Sequence, residues 1–180
     1  MLSVKGKSGV FIDGSNMFWA QKDACWFLDY DKLKMHLRKA HSPSLFNFYG
    51  CVDINPGNRG YSEKAQRQLA FYKKLDGMGY KVATKPLKYM ASGTKCDMDV
   101  DLVVSVYEYI DDLDTIILFS GDSDYLSAIT KFHSLGKQII IYSFAEYLAW
   151  ELKDFAIKNP RCRYVELDSL RNELELPKSP

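Results

Sequence analysis

Three short, unbroken apolar runs restrict the fold of this chain more than any other feature: Val10-Phe11-Ile12, Ile116-Ile117-Leu118-Phe119 and Ile139-Ile140-Ile141-Tyr142. A strand with one face in water alternates apolar and polar residues. A continuous run requires cover on both faces, the condition of a parallel sheet sandwiched between helices. Between the runs lie stretches with helical periodicity. Residues 29–40 carry Leu33 and Leu37 four apart, and residues 62–75 read as a helix stopped by Gly77 and Gly79. Helices are also expected over 97–112, over 122–135 up to Gly136, and around 146–158. Further strands are expected at 45–52 and 80–84, with a short tail strand near 163–165 and a loop over 85–94. Strands alternating with helices predict right-handed crossovers and a three-layer α/β/α sandwich.

The 180 residues fit one domain with a core over about 8–167 and a frayed tail from about Pro177. No apolar run approaches the roughly 18 residues of a membrane span, and no signal-peptide core follows the N-terminus, so a cytoplasmic protein is expected. Cys25, Cys51, Cys96 and Cys162 form no close pair. They read as reduced, mostly buried thiols without a disulfide or zinc site.

Charge is unevenly distributed. Nine Lys/Arg and two acids occupy 58–95, whereas 96–124 holds nine acids and no Lys or Arg. A basic block beside an acidic one suits a metal site that handles a polyanion, and it equally suits two solvated helix faces. Arg59, Arg67, Lys85, Lys88 and Lys95 are the candidates for drawing in a phosphodiester backbone.

In open parallel sheets, sites form beyond the carboxyl ends of the strands where strand order reverses. Two motifs fall at such ends: Asp13-Gly14-Ser15-Asn16 after the first strand, and Ser120-Gly121-Asp122-Ser123-Asp124 after a later one. Helical phase adds Asp99, which shares a stripe with Val103, Val106 and Ile110. Asp101 falls on the opposite side, and Asp97 sits where a first-turn or capping acid belongs. Each acid has an ordinary turn or cap role of its own. Four converging carboxylates, however, repel one another unless a cation such as Mg2+ or Mn2+ is present. Asp13 and Asp122 follow directly from strand ends, whereas Asp124 could equally be a first-turn helix acid.

His36, His41 and His133 are scattered away from these motifs, so a histidine general base is not expected. Ser15 and Ser123 lack a histidine partner, and no GxGxxG follows the first strand. The first motif lacks the second Asp of a phospho-aspartate phosphatase. Aromatic residues reach 14%, which is compatible with a homo-oligomer. Among them Trp19 and Tyr89 are candidates for base stacking, and Phe27 is expected to be packed.

The motifs resemble those of the NYN domain family in the PIN-like nuclease superfamily, particularly its LabA-like bacterial group. The matching elements are the strand-terminal Asp13-Gly14-Ser15-Asn16, the helix start Lys95-Cys96-Asp97-Met98-Asp99, and the segment from Ser120 to Tyr125, which fits Ser-Gly-Asp-x-Asp-[Phe/Tyr]. The resemblance covers roughly residues 8–167. It implies a five-stranded sheet of order 3-2-1-4-5 and divalent-metal-dependent hydrolysis of RNA, single-stranded or structured. It also implies Asp13, Asp99, Asp122 and Asp124 as metal-binding catalytic carboxylates, with Asn16, Ser120 and Ser15 supporting them from behind. DNA fits the same chemistry. The rival reading is a catalytically weak RNA- or protein-binding regulatory module on the same fold. The chain departs from the pattern one helical turn after Asp99, where Val103 and Ser105 stand in place of a further acid found in many relatives. That departure weakens the case for a complete two-metal arrangement.

Overall fold

The computed structural model describes residues 6–54, 62–90 and 93–177. Six parallel strands form one sheet: β1 (Ser8–Asp13), β2 (Leu45–Val52), β3 (Lys81–Pro86), β6 (Thr115–Phe119), β7 (Gln138–Ser143) and β8 (Cys162–Glu166). Their spatial order is β3-β2-β1-β6-β7-β8. The five strands of the expected order are present, and the tail segment near 163–165 extends the sheet as a sixth by pairing in parallel with β7. Chain order reverses between β1 and β6, which pair from Ser8↔Thr115 to Ile12↔Phe119.

The unbroken apolar runs supply both faces. Val10, Ile12, Ile117, Phe119, Ile140 and Tyr142 enter one core, together with Met17 and Ala20 of α1 (Gly14–Asp23), Leu33 and Leu37 of α2 (Tyr30–His41) and Leu75 of α3 (Glu63–Gly77). Phe11, Ile116, Leu118, Ile139 and Ile141 enter the other. That core is closed by Leu102 and Val106 of α4 (Asp99–Glu108), Ile129 and Phe132 of α5 (Leu126–Ser134), and Leu152 and Ala156 of α6 (Trp150–Lys158). A final turn, α7 (Arg171–Leu174), returns Leu174 to the first core. Two apolar interfaces flank one sheet, as the continuous strands require.

Several expectations are corrected. Residues 85–94 are not a plain loop: Lys85 and Pro86 end β3, and β4 (Lys88–Met90) pairs antiparallel with β5 (Gly93–Lys95). Three-residue strands are too short to declare a period. The helix expected over 97–112 is confined to α4, and that over 122–135 begins as a 3-10 turn, Ser123–Tyr125. Phe27 is 45% exposed, and its neighbour Trp26 takes the core position.

The cysteines are corrected as well. Cys51 and Cys96 form a disulfide, with their Cα atoms 6.2 Å apart. Sequence spacing could not show this, because the partners are 45 residues apart and meet only once β2 and the segment before α4 are folded side by side. Cys162 is a free buried thiol and Cys25 a free exposed one. The 55–58 turn, Arg59 and the side chain of Lys95 lie outside the described residues, as does the tail beyond Pro177.

Candidate metal centre

At the reversal point, β1 delivers Asp13 directly into α1. Its Oδ1 accepts the backbone N–H groups of Ser15 and Asn16, both at 3.0 Å, and so caps the helix. Its Oδ2 accepts the hydroxyl of Ser120 at 3.2 Å and lies 3.4 Å from the Tyr125 hydroxyl oxygen. Asp13 is therefore buried and held by three donors. Burial pushes its carboxyl above the ordinary range, against the lowering effect of the donors at Asn16, Ser120 and Ser15.

The β6 end is built in the same way. Asp122 Oδ1 accepts the Asp124 N–H at 3.0 Å, which starts the 3-10 turn. Ser120 links the two strand ends, because its Oγ donates to Asp13 and accepts the Asp122 N–H at 3.2 Å. Asn16 adds a second link: its Oδ1 accepts the Gly121 N–H at 3.1 Å. Both motif glycines are sterically required. A Cβ on Gly14 would lie 2.6 Å from the Tyr49 carbonyl oxygen, and one on Gly121 would overlap the Tyr147 carbonyl.

Asp99 completes the site from the first turn of α4. One carboxylate oxygen from each of Asp99, Asp122 and Asp124 lies within 4.8 Å of the others. Burial, followed by the charges of Asp13, Asp97 and Asp122, raises the Asp99 carboxyl to about 6, while a hydrogen bond from Tyr125 opposes the rise. Among the described residues, no ion pair involves any of these acids. Three close, uncompensated carboxylates are a hard-oxygen donor set that fits Mg2+ or Mn2+.

The cleft over them has a volume of about 500 Å3 and is lined by Asp13, Ser15, Asn16, Trp19, Cys96, Asp97, Met98, Asp99, Asp122, Asp124 and Tyr147. The structure thus gathers the four expected aspartates and ranks them differently. Asp124 belongs to the close trio, whereas Asp13 lies beneath it with its oxygens already engaged. Asp97 also reaches the cleft, where its Oδ1 accepts the Asp99 N–H at 3.0 Å. Sequence reasoning missed Tyr125, whose hydroxyl joins Asp13 and Asp99; its place in the third motif was the available signal. None of the three histidines lines the cleft.

The described basic candidates stand elsewhere. Lys85 pairs with Asp101, Arg67 lies 3.9 Å from Glu63, and Lys88 is exposed on β4. The Tyr89 hydroxyl donates to Asp53, which also pairs with Lys64 at 2.9 Å.

Comparison with known proteins agrees with this architecture. The NYN domain family model matches residues 7–158. The low amplitude and bright protein LabA of Synechococcus elongatus is 29% identical over 178 residues, covering 95% of this chain and 89% of that protein. A crystal structure of a protein of unknown function from Vibrio parahaemolyticus superposes with a TM-score of 0.75 at 20% identity, covering 98% of this chain and 99% of the other. That likeness bears on the fold alone. With its β1 and β6 motifs and α4 inside the matched span, the chain belongs to the NYN domain family.

Proposed function

We propose that this protein is a divalent-metal-dependent ribonuclease whose cation is held by Asp99, Asp122 and Asp124 above a buried Asp13. The observation that carries this reading is the convergence of three carboxylates within 4.8 Å at the edge of an open cleft. Keeping such a cluster without a cation costs free energy through mutual repulsion. Membership of a nuclease-like family supports the same chemistry.

When bound, Mg2+ or Mn2+ supplies an acidified water and neutralises charge at phosphorus. The protein's own contribution is position. Asp13, Ser120 and Tyr125 form a buried hydrogen-bonded base that fixes Asp99 and Asp122 relative to each other. The Asn16 link to Gly121 keeps the two strand ends in register. Hydrolysis then joins a water oxygen to phosphorus and breaks one phosphoester bond, with the leaving oxygen taking up a proton. We also assign the protein to the cytoplasm, where it would meet RNA and where the reducing pool would keep a share of the Cys51–Cys96 pair as thiols. No helix among the described residues is long and apolar enough to cross a membrane.

The test is cleavage of RNA in Mg2+, Mn2+ or EDTA by wild type, Asp122→Asn and Asp99→Asn. The expected result is metal-dependent cleavage that both substitutions abolish. Cleavage that persists in EDTA, or that neither substitution affects, would overturn the proposal. RNA binding without turnover would point to the regulatory-module reading instead.

A further inference from the structure

The acidic cleft has an aromatic wall that the carboxylate chemistry leaves unused. On α1, Met17, Ala20 and Gln21 face the core. The adjoining stripe at i, i+3 and i+7 is formed by Asn16, Trp19 and Asp23. Asn16 fastens the Gly121 loop, and Asp23 accepts a hydrogen bond from the Tyr147 hydroxyl. Trp19 sits between them, lines the cleft together with Tyr147, and is 52% exposed. An indole left half in water one helical turn from the metal-site motif contributes little to the core and offers the cleft an aromatic surface. The ring is supported from the side by Phe18, at 5.4 Å in an edge-on contact. Lys22 Nζ lies over the ring, 4.6 Å from its centroid, and so covers one of its two faces.

We infer that Trp19 is the platform of a nucleobase subsite, on which a base flanking the scissile phosphate stacks against the face that Lys22 does not cover, with the Lys22 charge behind the ring to draw in the adjoining phosphate. The inference rests on the ribonuclease reading and narrows its substrate class. A base can cover the indole only if it has left a duplex stack, so the preferred substrate is single-stranded RNA. One ring and one cation are what a nucleotide asks for: a π-face for the base and a charge for the phosphate. Tyr89, the other aromatic candidate, does not line the cleft and has its hydroxyl bound to Asp53. Trp150 is 72% exposed, yet it too lies outside the cleft lining.

In a Trp150→Phe protein, quenching at Trp19 is read as the emission change that Trp19→Ala removes, because the buried Trp26 emits in both proteins and lies outside the cleft lining. The probes are a short oligouridylate, an abasic ribose-phosphate oligomer of equal length, and a blunt RNA duplex, with Asp122→Asn added to prevent turnover. Quenching by the oligouridylate alone is expected. Trp19→Ala should weaken its binding by about 5- to 100-fold, with Trp19→Phe intermediate, while binding of the abasic oligomer stays unchanged. In the active protein the loss should appear mainly in KM. Equal binding of the oligouridylate by wild type and Trp19→Ala, in a protein that still cleaves RNA with metal, would overturn the subsite and leave the ribonuclease standing. Equal quenching by the abasic oligomer would also overturn it. If wild type neither binds nor cleaves RNA, the ribonuclease reading fails and the subsite fails with it.

Discussion

The Tyr125 hydroxyl donates to Asp99 Oδ1 at 2.6 Å, so a side chain from the β6 loop fixes a carboxylate carried by α4. The same hydroxyl lies 3.4 Å from Asp13 Oδ2. Burial and the surrounding aspartates push the tyrosine's own ionisation far upward, so it serves as a permanent donor. Tyr125→Phe should preserve the ring in its core pocket and remove only this tether. Groups that orient metal-binding side chains typically contribute about 10–100-fold in metal affinity or activity. We expect the lower end, about 10-fold weaker Mn2+ binding by calorimetry, because Asp99 keeps its place in the first turn of α4 without the tether. The thermal midpoint without metal should change little.

The acid cluster sets a pH dependence whose sign follows from two raised carboxyls. Asp13 lies above its ordinary range, and Asp99 is raised to about 6. Between the unfolded value and the raised folded value, the native state binds more protons than the unfolded state. The metal-free protein therefore loses stability as pH rises from about 4 through about 6. Scanning fluorimetry in EDTA should show the midpoint falling across that window, and Mg2+ should remove most of the fall above pH 6 by binding the ionised cluster. A midpoint that rises with pH in EDTA would contradict the assigned directions.

Gly121 has no room for a side chain, because a Cβ there would overlap the carbonyl of Tyr147 and approach Ser143 Oγ. Its N–H is also the donor to Asn16, so displacing it separates the two strand-end motifs. Gly121→Ala should cost about 2–4 kcal/mol in denaturant unfolding, the range expected when backbone must shift in a close-packed interior. Activity should fall further than stability alone explains. Gly77→Ala, whose added Cβ meets nothing within 4 Å, is the control.

Much of this architecture is legible in the sequence because short-range patterns report it. Continuous apolar runs announce β1, β6 and β7, and Asp13 and Asp122 follow from the ends of β1 and β6. Helical phase places Asp99 toward the site and Asp101 away from it, where it pairs with Lys85. What escaped depends on long-range contacts. By its sequence position Asp97 reads as a helix-start acid, yet the path of the chain before α4 carries it into the cleft. In sequence the basic segment reads as free to meet phosphate, but Lys85, Lys64 and Arg67 each have an acidic neighbour in the fold. Asp124 could not be told from a capping acid until its distance to Asp99 was known.

The Cys51–Cys96 disulfide is the strongest long-range constraint on the cleft, because Cys96 lines it and stands three residues before Asp99. It ties the segment leading into α4 to the end of β2, and so limits how far Asp97 and Asp99 can drift from Asp13. Closing a 45-residue separation removes conformational freedom from the unfolded chain, worth about 2–4 kcal/mol. A Cys51→Ser/Cys96→Ser protein should therefore unfold about 4–16 °C below the oxidised wild type. Reduced wild type should match the double variant, whereas Cys25→Ser should behave as wild type in either state. Metal affinity should fall along with the midpoint, since the freed segment carries two of the cleft's acids. A double variant that binds Mn2+ as tightly as oxidised wild type, despite a lower midpoint, would show that the crosslink serves stability alone.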